Sequence, residues 1–359
     1  MTEYSTVFQR FTSLIRRLRP FTNRFPSPGM DTIFSDEIFL RIFRYLPGLD
    51  SFRGFYNLNS RLNRIIGEFY VGFGSVLTED QQRFILPYIN PKRIRSFCVC
   101  KSRYEYLRLN QCINIRQLKF SSSDSTHDIY THIEPQLIQV QPKNFPHLMH
   151  LTIYLHSVTD EYYELFCMIF GNAFPTLKYV HLPFASGYYI SGIKTWSTSL
   201  KYVRIECCNK QMFYPLLDNL PNLITFHCSF GTNNSGSLNN RTLPLENFYL
   251  ETYDRSSVHY RGVKMELQEL IGVYECLPNL LRTIIFIYSE SSLDSIMDRF
   301  NSVLTHCPRL NTFECFIECN TVMESEETAN EIKKRYPLFR DSYVFACKTQ
   351  KGYLRGIKM

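Results

Sequence analysis

The sequence predicts an α/β protein in which a small three-helix N-terminal module precedes an irregular α/β solenoid, a curved parallel sheet with helices on its convex side. Two observations point to it. Residues 33 to 66 hold an apolar stripe at helical spacing between capping and breaking residues, and beyond residue 90 a six-residue pattern, apolar-x-x-apolar-x-apolar, returns nine times. A chain of 359 residues has room for one small module joined to one extended array, and 44% hydrophobic content can fill a sizeable core. Three segments follow: a basic tail over 1–29, the helical module over 30–77 and the array over 78–359.

In the tail, Arg10, Arg16, Arg17, Arg19 and Arg24 stand against a single acid, Glu3, so it carries +4 of the net +7. Val7, Phe8, Phe11, Leu14, Ile15 and Leu18 fall at helical spacing. An Arg-rich, acid-poor amphipathic leader fits a mitochondrial transit peptide or a helix lying on an anionic membrane. A plain extension broken by Pro20, Pro26, Pro28 and Gly29, with translation starting at Met30, fits as well. No run approaches the roughly 18 apolar residues of a transmembrane helix, and no apolar leader with a small-residue cleavage site precedes the module. The expectation is a protein of the cell interior, cytoplasm and/or nucleus. Its 12 cysteines agree, since Cys98, Cys207, Cys228 and Cys315 lie in apolar runs. No Cys-x-x-Cys occurs, and Cys98-x-Cys100 and Cys315-x-x-x-Cys319 lack a second ligand pair, so no metal is expected.

The module begins with Ile38, Ile42 and Leu46 at i, i+4 spacing, widened by Phe39 and Phe43. Asp36 and Glu37 in the first turn favour the helix dipole, Ser35 is the natural N-cap, and Pro47-Gly48 ends the helix. Asp50 can cap a second short helix bearing Phe52 and Phe55, and Ser60 a third bearing Leu62, Ile65 and Ile66. So much apolar surface on so short a segment predicts a docking face; the plainer alternative is the first helices of an ordinary helical domain.

The run Phe34-Ser35-Asp36-Glu37-Ile38, then Ile42-Phe43, Tyr45-Leu46 and Asp50, resembles the F-box, whose pattern opens Leu-Pro-x-Glu-Ile and continues Ile-Phe-x-Tyr-Leu with an Asp a few positions on. Phe34 replaces the usual Leu and keeps an apolar anchor; Ser35 replaces Pro, one helix-starting residue for another. The resemblance covers about forty of the 359 residues. It implies binding to a Skp-type adaptor, and through it a cullin-RING ubiquitin ligase, by Phe34, Ser35, Glu37, Ile38, Ile42, Phe43, Leu46, Asp50 and Phe52.

The nine copies of the pattern begin at Ile94, Ile115, Leu148, Leu177, Leu200, Leu223, Leu245, Leu281 and Leu310, at intervals of 21 to 36 residues. A proline precedes several, as in Phe145-Pro146, Phe174-Pro175, Leu220-Pro221, Leu277-Pro278 and Cys307-Pro308. A strand of this kind buries one face, and stacking such strands makes a continuous core. The longer intervals hold helices over 160–170, 264–276 and 293–305; a further helix is expected over 324–336 and a capping strand near 343–347. The polar stretch from Gly231 to Asn240 reads as a loop. The copies resemble leucine-rich repeats, whose consensus is Leu-x-x-Leu-x-Leu followed by x-x-Asn or Cys. That Asn or Cys is mostly lost here, and four of the eight intervals exceed the family's usual span. A generic α/β domain with buried parallel strands is the competing architecture.

In such an array, positions three, five and seven of each copy face away from the core. Position five then forms a column of Cys98, Lys119, Thr152, His181, Arg204, His227, Tyr249, Ile285 and Glu314. Tyr179 and Tyr202 flank it from position three, and Tyr154, Glu206 and Glu251 from position seven. Rigid aromatic area beside hydrogen-bonding groups suits protein recognition, which nominates Tyr154, Tyr179, His181, Tyr202, Arg204, His227 and Tyr249 as the substrate-binding set. His181 and His227 stand two strands apart, about 10 Å, too far to share a metal.

There is no Gly-x-Ser-x-Gly, His-Glu-x-x-His, P-loop or Gly-rich dinucleotide motif, so neither catalysis nor a cofactor is expected. Basic residues outside the tail alternate with acids, which argues against a nucleic-acid partner. With the resemblance, the expected function is that of a non-catalytic substrate-recognition subunit of a Skp-cullin-F-box ubiquitin ligase, holding a protein substrate on the array. The alternative is an interaction scaffold using the same modules without ubiquitin transfer.

Overall fold

The computed structural model describes residues 34–46, 48–56, 58–68, 71–73, 85–99, 109–121, 137–154, 160–185, 193–232, 238, 242–251, 267–289, 293–304, 306–319, 330, 334–335, 343–346 and 351–357. The tail, Pro47, residues 233–237 and 239–240 of the expected polar loop and most of the expected helix over 324–336 lie outside these residues, and the first two residues of that expected loop, Gly231 and Thr232, are strand instead.

Three helices open the fold: α1 (Asp36–Tyr45), α2 (Gly48–Phe55) and α3 (Ser60–Glu68). Ser35 stands at the N-cap of α1, where its carbonyl accepts the amides of Ile38 (3.1 Å) and Phe39 (3.3 Å). Its hydroxyl caps no amide and donates instead to the Glu37 carboxylate, holding that acid below its usual range. Two capping expectations shift. Helix α2 starts at Gly48, so Asp50 lies in its first turn rather than at its cap. Helix α3 is capped by Asn59, whose Oδ1 accepts the Leu62 amide at 2.8 Å, one residue before the expected Ser60. Arg61 ties α3 back to α1, its Nε donating to Asp36 Oδ1 at 2.7 Å and its Nη2 to the Phe34 carbonyl at 2.9 Å.

All nine copies of the pattern are strands. After the short β1 (Val71–Phe73) come β2 (Ile94–Val99), β3 (Gln117–Ser121), β4 (His150–Tyr154), β5 (Tyr179–Ala185), β6 (Tyr202–Asn209), β7 (Thr225–Thr232), β8 (Asn247–Glu251), β9 (Arg282–Ser289) and β10 (Thr312–Cys319). Each pairs in parallel with the next, so the sheet follows chain order. The expected capping strand is β11 (Tyr343–Ala346), but it is not the neighbour of β10. The unforeseen β12 (Lys351–Ile357) inserts between them, antiparallel to both. The sheet also starts earlier than expected: β1 pairs with β2, so the boundary drawn at residue 77 cuts through a single sheet.

Helix α4 (Asp160–Phe170) keeps its expected bounds, and α6 (Leu267–Glu275) and α7 (Leu293–Leu304) fall within theirs. Helix α5 (Lys210–Asn219), which holds Pro215 within it, was not expected. Asn209 caps it, accepting the Met212 amide at 3.0 Å. Helix α4 ends at Phe170, and just beyond it Asn172 takes the left-handed conformation (φ 60°) while the Ala173 amide bonds back to the Met168 carbonyl at 3.1 Å.

These helices cover the face of the sheet on which positions one, four and six lie. Phe213 of α5 packs on Phe226 and Phe248, Tyr274 of α6 on Phe248, and Phe300 of α7 on Phe313. One apolar cluster runs from Phe39 in α1 to Cys315 in β10, and burying each large side chain in it contributes about 1.5–3 kcal/mol.

The eighth copy is displaced by one residue. Leu281 and Ile284 are only half-buried, whereas Leu280, Thr283 and Ile285 are fully buried, and Tyr249 pairs with Ile284. Ile285 therefore belongs to the core, and Ile284 takes its place in the position-five column. In five of the copies the turn before the strand sets this register: the amides of Leu148, Leu177, Leu223, Leu280 and Leu310 each bond to the carbonyl three residues back, at 3.1–3.3 Å.

Candidate functional site

Two surfaces carry the candidate residues. On and beside α1, the apolar residues divide by burial. Phe39 and Phe43 are buried, Phe43 edge-on to Phe55 with ring centroids 5.1 Å apart. Ile38 is 41% exposed, and Phe34, Ile42 and Leu46 are half-buried along the same helix. Of the nine residues nominated for the adaptor, Ser35 and Glu37 are exposed and Asp50 is half-buried. Phe43 and Phe52, also nominated, are buried in the apolar core that the helices share with the sheet.

The second surface is the sheet face opposite the helices. Strand register brings Thr152, His181, Arg204, His227 and Tyr249 side by side, as the position-five column requires. The column is less open than expected. Cys98 and His181 are buried, and Glu314 is 9% exposed. His181 Nε2–H donates to Glu206 Oε1 at 2.5 Å, and Arg204 Nε donates to the same oxygen at 2.9 Å. Glu206 and Arg204 are two residues apart on one strand and so share a face. The His181 hydrogen bond, aided by the Arg204 charge and opposed by partial burial, holds the Glu206 carboxyl down at about 2. Tyr154 stands edge-on to His181 (centroids 4.6 Å) with Lys119 Nζ 5.2 Å from its ring centre. At the far end, His227 lies against Tyr249, whose other contact is the Arg282 guanidinium at 5.8 Å.

Position three supplies an aromatic row. Tyr179 and Tyr202 stack with centroids 4.2 Å apart and planes 14° from parallel, and His150 extends the row at 5.5 Å from Tyr179. Burial and the neighbouring Tyr202 push the Tyr179 phenol up to about 12, so its hydroxyl remains a hydrogen-bond donor at neutral pH. All seven nominated substrate residues thus lie on one face, but His181 and Arg204 are spent on Glu206. Glu206 was known only as a position-seven residue; its two partners follow from strand pairing, which no local pattern shows.

Among the described residues no three His, Cys, Asp or Glu side chains converge as metal ligands would. Burial pushes the Cys112 thiol up to about 12 and Cys307 to about 11, which leaves them protonated and unsuited to nucleophilic attack. No helix among the described residues is long and apolar enough to cross a membrane.

The fold is α/β, with a sheet whose first ten strands run parallel in chain order, helices on one face and a polar, aromatic opposite face. In comparisons with known proteins, no family model and no curated sequence matches the chain.

Proposed function

We propose that the chain is the substrate-recognition subunit of a Skp-cullin-F-box ubiquitin ligase, working inside the cell. In this reading α1–α3 form an F-box that binds the Skp-type adaptor, and the strands form a leucine-rich-repeat-like solenoid that holds a protein substrate. The observation that carries the proposal is the division on α1. Phe39 and Phe43 are buried in the core, while Ile38, Ile42 and Leu46 leave apolar surface in the order of the F-box pattern. The nine strands in chain order support the solenoid part. The receptor itself does no chemistry in this scheme; it raises the local concentration of substrate lysines near the charged conjugating enzyme.

The test is binding of the purified full-length chain to a purified Skp-type adaptor, followed by recovery of cullin from cells. The wild type should bind, and Ile38→Asp, at an exposed position, should weaken binding about tenfold or more without unfolding the chain. A wild-type chain that does not bind the adaptor overturns the proposal. Recovery of adaptor without cullin favours the scaffold alternative.

A further inference from the structure

The residue before position three of each copy lies at the rim of the sheet, and there the strands align a row that no run of sequence displays. Backbone hydrogen bonds of 2.8–2.9 Å join Arg116 to Met149, Met149 to Lys178, Lys178 to Lys201 and Lys201 to Ile224. Arg116, Lys178 and Lys201 are exposed, and among the described residues no ion pair engages them. At about 4.8 Å per strand, the three cations span roughly 15 Å. The first acid along the row is Glu246, reached only after Ile224. On strands β3 to β6 the one carboxylate, Glu206, is already held by His181 and Arg204. The rim from β3 to β6 is therefore a positive strip with no internal counter-charge.

The aromatic row alongside decides what kind of anion fits. Tyr179 is covered by Tyr202 on one side and His150 on the other, so both of its faces and one face of each neighbour are already in use. A single-stranded nucleic acid binds by stacking bases on open aromatic faces. What this row offers instead is ring edges and hydroxyl groups, which hydrogen-bond to carboxylate or phosphoryl oxygens.

We propose that the rim formed by Arg116, Lys178 and Lys201, with the edges of His150, Tyr179 and Tyr202, receives an acidic segment of a partner protein lying across β3 to β6. This deepens the substrate-receptor reading and rests on it. The anionic groups come from Asp and Glu or from phosphorylated side chains, and Glu246 repels any extension of the acidic run towards β8.

The test uses the full-length chain and fluorescence anisotropy with four labelled probes of equal length: an oligoglutamate, a phosphoserine peptide, an uncharged Ser-Gly peptide and an oligouridylate. One or both acidic peptides should bind, more weakly as salt rises, and the Ser-Gly peptide should not. Which acidic peptide binds tighter identifies the source of the anion. Combined Arg116→Gln, Lys178→Gln and Lys201→Gln, all at exposed sites, should weaken that binding about tenfold. The pair Arg309→Gln and Lys334→Gln, exposed cations elsewhere, should not. Tyr202→Phe keeps the stack and removes a hydroxyl, so it should weaken the peptides as well. The proposal is overturned if neither acidic peptide binds better than the Ser-Gly peptide, if the triple variant binds like wild type, or if oligouridylate binds tightest. Adaptor binding by the same preparations separates failure of this site from failure of the receptor reading.

Discussion

The hydroxyl of Tyr274 on α6 lies 2.7 Å from the hydroxyl of Thr283 on β9, and both side chains are fully buried. The pair explains how a threonine comes to stand where the pattern calls for an apolar residue. A buried hydroxyl is tolerated when another answers it, and it costs free energy when that partner is lost.

Replacing Thr283 with Val should therefore destabilise the protein by about 1–3 kcal/mol, although Val is the more apolar residue, because the Tyr274 hydroxyl is left unpaired. The double variant Thr283→Val with Tyr274→Phe should recover most of that loss. Denaturant midpoints compare the three proteins; a Thr283→Val variant as stable as wild type would show that the pair contributes nothing.

Glu206 should remain ionised far into acid. Its folded value of about 2 lies below the ordinary 4.5, so its contribution to stability is complete above about 4.5 and is lost as pH falls through about 2. The side chain is 40% exposed, so solvent screening limits this contribution to about 1 kcal/mol or less. Carbon-13 titration of labelled glutamate carboxyls should find one group with a midpoint near 2. In His181→Ala and in Arg204→Gln that midpoint should move towards 4.5, because the His181 hydrogen bond and the Arg204 charge and hydrogen bond both favour the carboxylate. An unmoved midpoint in either variant would contradict this.

Lys210 and Glu269 join α5 to α6 beneath the sheet, with Nζ and Oε2 2.5 Å apart and Lys210 only 7% exposed. Their neighbour Tyr214 is pushed up to about 12, by burial first and then by the Glu269 charge. Glu269→Leu leaves the ammonium buried without its carboxylate and should cost about 3 kcal/mol. Lys210→Met combined with Glu269→Leu removes both charges and should lie much closer to wild type. Thermal unfolding distinguishes these; similar losses in both variants would mean that apolar packing, not charge, sets the cost.

Much of the fold was legible because its signals are local. All nine copies became strands, since alternation with a period of two is a property of a few neighbouring residues. Even the misplaced eighth copy carried its own correction. Position one stands two residues after the proline at Pro146, Pro175, Pro221 and Pro308, and the same count from Pro278 gives Leu280 rather than Leu281. The more apolar Leu281-Ile284-Phe286 outweighed that signal, because Thr283 looks too polar for a core until Tyr274 is seen above it. Helix α5, with Pro215 inside it, and β12, beyond the strand expected to close the sheet, were not foreseen.

The sequence by itself determined ten of the twelve described strands, most of the helices and, the eighth copy apart, which face of each repeat strand is apolar. The tertiary structure alone decided what lies beside what. It turned Phe43 and Phe52 inward, bound Arg204 and His181 to Glu206, and lined up Arg116, Lys178 and Lys201 from segments as much as 85 residues apart in the chain. Along the chain those three cations read as isolated charges with no run between them. Parallel pairing repeats every 4.8 Å or so, far closer than the chain spacing of the same residues, and so makes a row of them.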